Sequence, residues 1–182
     1  MPGFSLTSFP LSAKVCCTLF LLGIGLGCLA AFTQAATAVG LSYGDVVASF
    51  APEQPMLHMQ HGQVSAEQEI TLDQLRHPAK TWIRTPLLIQ TSHTHLFGQT
   101  LIAGLLGGMF LFSSIREWKK AVIVALPFIG TMMDIGGMWL TRFVWAPFAT
   151  VVLLGGSVFA LGYLLITGIA LYELWVKQEE YP

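Results

Sequence analysis

The sequence predicts an all-α membrane protein: a bundle of four transmembrane helices with a small helical periplasmic loop. Composition is the first observation behind this. Of 182 residues, 54% are hydrophobic and only 10% charged, whereas a soluble domain carries about 25% charged residues. Mean hydropathy is +0.65. The second observation is that apolar residues gather in four long runs, each near the ~20 residues that span a bilayer as a helix. The third is a negative one: the sequence has no alternating β pattern, no repeat and no low-complexity tract. A net charge of −1 with 9 Lys and Arg argues against nucleic acid, which demands a basic face.

The predicted organisation is an N-terminal segment and first span over residues 1–40, a loop over 41–90, and a three-helix membrane part over 91–182. The first span runs from about Val15 to Val39, behind Lys14. Its Gly23-Ile24-Gly25-Leu26-Gly27 suits close approach of another helix. The alternative is a cleaved signal peptide, since Ala31 to Ala38 is rich in small residues. The run is nevertheless long enough to span. Cys16, Cys17 and Cys28 all lie within it and form no CxxC, so they read as packing residues.

Within the loop, Ser42 and Asp45 form a predicted capping box ahead of Val46, Val47 and Phe50. Pro52 and Pro55 end that helix. A second helix start falls at Ser65 to Gln68, and Pro78 and Pro86 divide the rest of the loop into short pieces. The second span is expected over Ser92 to Phe112, with Gly104 and Gly108 as a close-packing face. The third is expected over Ala121 to Leu140 and the fourth over Pro147 to Tyr172.

Basic residues set the orientation. Lys14, the Arg116/Lys119/Lys120 cluster and Lys177 share one side if all four runs span, and that side should be cytoplasmic. Both termini then lie inside a bacterial inner membrane, and the loop and Arg142 face the periplasm.

Polar residues at the mouth of the second span are the first candidates for chemistry. Ser92, His95 and Gln99 follow i, i+3, i+7 spacing and share one helix face. His93 points roughly the other way, so His95 is the expected centre. Asp134 is the second anomaly, because a carboxyl within a span normally faces the bundle interior and a partner. Thr131, Asp134, Met138 and Arg142 fall near one face. By helix rise, His95 is expected roughly 5–6 Å below the outer end of its helix and Asp134 roughly 9 Å below its own. The two can then meet, and an Asp that hydrogen-bonds an imidazole fixes its tautomer. A structural His–Asp or Asp–Arg pair locking two helices is the other reading of the same residues.

The loop offers His58, Met59 and His61, with Met56 beside them. Imidazole and thioether together suit copper. A haem b would need an axial ligand, usually His. No His occurs in the first, third or fourth span, so bis-His ligation would join His95 or His93 to a loop His. Ligation by His with Met132, Met133 or Met138 is the other arithmetic solution. HExxH, P-loop and GxGxxG patterns are absent, which removes the usual zinc-protease, P-loop nucleotide and dinucleotide readings.

Several segments together resemble a poorly characterised bacterial family of small four-span inner-membrane proteins. They are Pro10 to Lys14, Asp45 to Phe50, Ser92-His93-Thr94-His95-Leu96-Phe97-Gly98, Ala125 to Phe128, Asp134-Ile135 and Leu140-Thr141. Longer members carry a CxxCH haem c motif in the periplasmic loop, so the resemblance implies membrane-bound electron transfer. This loop contains no Cys, which excludes covalent haem c.

The expected function is therefore a non-catalytic component of a membrane redox system, with haem b or copper near the outer face. His95 would be the ligand, His93 a second ligand or proton relay, and Asp134 the orienting carboxylate, with Gln99 and Arg142 lining the site. Other membrane redox subunits or a periplasmic electron carrier would be its partners. The rival expectation is an accessory or assembly subunit in which these polar residues only tie helices together.

Overall fold

The computed structural model describes residues 5–51 and 83–177. Every regular element among them is helical. A 3-10 turn, Leu6–Ser8, precedes α1 (Leu11–Ala38), and α2 (Tyr43–Phe50) comes after it. Three long helices complete the chain: α3 (Thr85–Phe110), α4 (Glu117–Phe143) and α5 (Ala149–Trp175), with a 3-10 turn at Ala146–Phe148. Among the described residues, three stretches are long and apolar enough to cross a membrane: α1, α4, and Ala146–Trp175, which includes α5. With 26 residues, α3 is about 39 Å long by helix rise, a little shorter than those three. Gln90, Ser92, His93, His95 and Gln99 make its first half more polar.

Helix α3 begins seven residues earlier than the apolar run suggests. Pro86 sits in its first turn, where the missing N–H costs nothing and the ring preorganises φ. The proline expected to interrupt the chain instead opens the helix. Capping of α2 agrees with the sequence pattern. Asp45 N donates to Ser42 Oγ at 3.2 Å and Ser42 N to Asp45 Oδ2 at 3.2 Å. The helix stops at Phe50, two residues before Pro52.

Two apolar clusters hold the helices. One joins Leu6, Leu21, Leu106, Phe110, Tyr163, Ile166, Ala170 and Leu174. The other joins Val46, Phe50, Leu88, Met138, Ala149 and Val152 at the opposite end. The chain's start, the α3–α4 turn and the end of α5 meet at the first of these ends. Leu6 N donates to Phe112 O at 2.9 Å, and Trp175 Nε1 to Thr18 Oγ1 at 2.9 Å.

Helices α4 and α5 cross through glycine. A Cβ on Gly130 would fall 2.4 Å from Phe159 N, and one on Gly137 2.7 Å from Val152 N. On α5, a Cβ on Gly162 would lie 2.6 Å from Pro127 Cδ. Absent side chains let backbones approach, which is how dispersion binds helices in lipid. On α3 the close-packing face differs from the expected one. Gly104 and Gly108 have nothing within 4 Å, whereas a Cβ on Gly107 would lie 2.9 Å from Val124 Cγ1. The spacing between glycines cannot say which way the helix is turned, and here Gly107 faces α4. Helix α1 is peripheral, with Leu21 its only buried residue.

Candidate functional site

The Ser92, His95 and Gln99 face of α3 turns toward α4. Trp139 Nε1 donates to Ser92 Oγ at 2.8 Å, and that hydroxyl donates onward to Leu88 O at 2.8 Å. Two turns further along, the Asp134 carboxyl lies beside the Gln99 side chain and within electrostatic reach of His95. Gln99 Oε1 is buried with no partner among the described residues.

His95 Nδ1 lies 2.9 Å from Thr91 O, one turn back along its own helix. The carbonyl can only accept, so Nδ1 carries the proton. In the neutral ring, Nε2 then keeps its lone pair. The imidazole is half-buried.

Depth differs from the expectation because α3 and α4 extend further than their apolar runs. His95 stands 10 residues after Thr85 and Asp134 9 residues before Phe143. Helix rise puts them about 15 Å and about 14 Å from those ends. The site is near mid-helix rather than at the mouth. From behind, Asp134 is backed by Gly155, where a Cβ would fall 2.3 Å from Asp134 N.

Not all candidates converge here. His93 is exposed and its ring packs on Phe97, with centroids 4.9 Å apart. Arg142 is 5% exposed and sits at the far end. Its guanidinium donates to Phe50 O and Thr85 Oγ1, each at 3.4 Å, clamping the end of α2 to the start of α3. Among the described residues, no group of three or more His, Cys, Asp or Glu is placed to hold a metal. His58, Met59, His61 and the helix start at Ser65 lie outside the described residues.

A family described as a transmembrane helical domain matches residues 83–181. Those 99 positions exceed half of the 182-residue chain. The chain belongs to this family. Its region takes in α3, α4 and α5 and with them Ser92, His95, Gln99, Asp134 and Arg142, whereas α1 and α2 precede it. No curated protein and no solved structure matches the chain.

Sequence reasoning missed Trp139, Gly155 and Glu173. Glu173 is 2% exposed, and its carboxylate accepts from Ser114 N at 3.0 Å and Ser114 Oγ at 2.6 Å. It pins the α3–α4 turn to the end of α5. Gly130/Gly137 and Gly155/Gly162 share seven-residue spacing, a signal that was available.

Proposed function

We propose that the protein is an integral membrane component of an electron-transfer system, with a cofactor held at His95. One observation carries this reading: Nδ1 of His95 is committed to Thr91 O, which leaves Nε2 as a single oriented donor. Ligand imidazoles are held in this way, with the second nitrogen fixed by a backbone carbonyl or carboxylate. Asp134 lies across the helix pair, within electrostatic reach of the ring. Haem b fits this donor set better than copper, because one axial imidazole suffices to attach it. Copper would need further ligands, and these would come from the His58, Met59 and His61 stretch. A bound haem would supply one-electron exchange. His93 faces away and takes no part.

In this reading α3 is the fourth span, its Ser92, His95 and Gln99 face turned toward α4. The protein belongs in a bacterial inner membrane with both termini cytoplasmic. Its partners are other membrane redox subunits or a periplasmic electron carrier. The test is an absorption spectrum and metal analysis of the purified full chain beside His95→Ala. A Soret band lost in the variant supports haem, and copper unchanged by the variant moves the ligand to the loop. A parent with neither haem nor stoichiometric metal overturns the reading.

A second reading has its own support. Trp139 already hydrogen-bonds Ser92 across α3 and α4, and Gln99 lies beside Asp134, so the cluster can serve helix pairing alone. The chain would then be an accessory or assembly subunit with no cofactor of its own.

A further inference from the structure

The seam between α1 and α5 is held by very little protein. Leu21 is the only buried residue of α1, although that helix is 28 residues long. Tyr163 Oη donates to Leu21 O at 3.0 Å, and Trp175 Nε1 to Thr18 Oγ1 at 2.9 Å. Between these helices lies a cavity of about 270 Å³, lined by Leu21, Gly25, Leu29, Tyr163, Thr167 and Leu171 among others. It is open on one side and almost wholly apolar, which suits hydrocarbon rather than water.

Its position relative to charge is informative. Lys14 lies seven residues before Leu21, and Lys177 six residues after Leu171. Helix rise puts Lys14 roughly 10 Å from the mouth of the cavity, which then continues about 12 Å from Leu21 to Leu29, and Lys177 stands just past the end of α5. The Trp175–Thr18 hydrogen bond shows that the two cationic ends adjoin. Among the described residues the acidic groups of this end are engaged, Glu173 by Ser114 and Glu117 by Lys120 at 3.3 Å. Lys177 Nζ donates one of its three N–H groups to Ser114 Oγ at 2.5 Å, and Glu179 and Glu180 lie outside the described residues.

From this geometry we infer a binding site for one anionic phospholipid along the α1–α5 seam. Its acyl chain fills the cavity, and its phosphate headgroup meets Lys14 and Lys177. The lipid completes the packing that α1 lacks, and it fastens that helix to the family domain. Charge selects the headgroup, because each Lys near a membrane surface favours an anionic lipid by about fivefold. The acyl chain contributes the rest through burial.

The test is native mass spectrometry of the full chain released from micelles holding equal phosphatidylglycerol and phosphatidylcholine. The parent should retain one lipid, mostly phosphatidylglycerol. Lys14→Gln/Lys177→Gln should lower the preference by about fivefold per cation removed, and Arg84→Gln at the opposite end should leave it unchanged. Leu171→Trp, which fills the cavity, should release both lipids. If that variant does not elute as a helical protein like the parent, Leu26→Trp from the α1 side replaces it. Equal retention of the two lipids by the parent overturns the site, as does retention that survives cavity filling. A lipid-free dimer, or a mature protein whose intact mass lacks α1, overturns it equally.

Discussion

The backbone of Asp134 rests on Gly155 of α5: a Cβ added there would meet the Asp134 amide nitrogen at 2.3 Å and its Cα at 2.8 Å. The carboxyl that α4 presents to Gln99 and His95 is thus positioned from behind by a residue with no side chain. Both opposing atoms belong to backbone, so neither can swing aside. The next glycine, Gly156, has nothing within 4 Å. Gly155→Ala should therefore destabilise the fold by about 1–3 kcal/mol through overpacking, while Gly156→Ala should be neutral. Thermal unfolding of the two variants in detergent checks this. Equal melting temperatures would contradict the close α4–α5 approach.

The two histidines of α3 should separate cleanly. His95→Ala removes the imidazole facing Asp134 and should abolish bound haem, whereas His93→Ala trims a ring that packs only on Phe97. The measurement is the haem-to-protein absorbance ratio of each purified variant. Equal loss in both would point to general instability rather than ligation.

Asp134→Asn removes the charge facing His95 but not the Thr91 carbonyl that orients the ring, so it should lower cofactor content less than His95→Ala does. Arg142→Gln should instead loosen the far end, since it removes donors to Phe50 O and Thr85 Oγ1. Their side chains have different partners and sit about 12 Å apart along α4 by helix rise. Stability losses in the double variant should add to within about 0.5 kcal/mol. Denaturation of the four proteins of this cycle gives the coupling. A double variant more stable than either single one would reveal an ion pair between these residues.

Glu173 should matter more than its place at a helix end suggests. Glu173→Ala leaves the Ser114 amide and hydroxyl without their acceptor, at a cost of about 1–3 kcal/mol. Ser114→Ala removes one of those donors and should cost less. Hydrogen exchange at the α3–α4 turn, measured by mass spectrometry, should rise in both variants and more in Glu173→Ala.

Orientation can be read independently. Reporter fusions after Trp118 and after Lys177 should register as cytoplasmic, and one at Gln68 as periplasmic, by the excess of Lys and Arg at the end bearing Lys14. A cytoplasmic Gln68 would invert the assignment or remove a span.

Much was legible without coordinates. Low charge and long apolar runs sufficed for a helical membrane domain, because unpaired backbone polar groups are not tolerated in hydrocarbon. Ser42 and Asp45 announced the α2 cap, since that box depends only on residues three apart. Lys14, Lys119, Lys120 and Lys177 were placed at one end by counting spans.

What the tertiary structure alone decided is which face each helix presents. A helix that is apolar nearly all round carries no stripe to mark its buried side, so Gly107 rather than Gly104 meets α4, and Gly155 backs Asp134. The start of α3 at Thr85 depended on Arg142 and α2 securing a turn that local sequence reads as broken by Pro86. Asp134 faces Gln99 while Arg142 turns to Phe50 because interhelical packing sets rotation about α4. Spacing along the chain puts two residues on one face; only the neighbouring helices decide what that face meets.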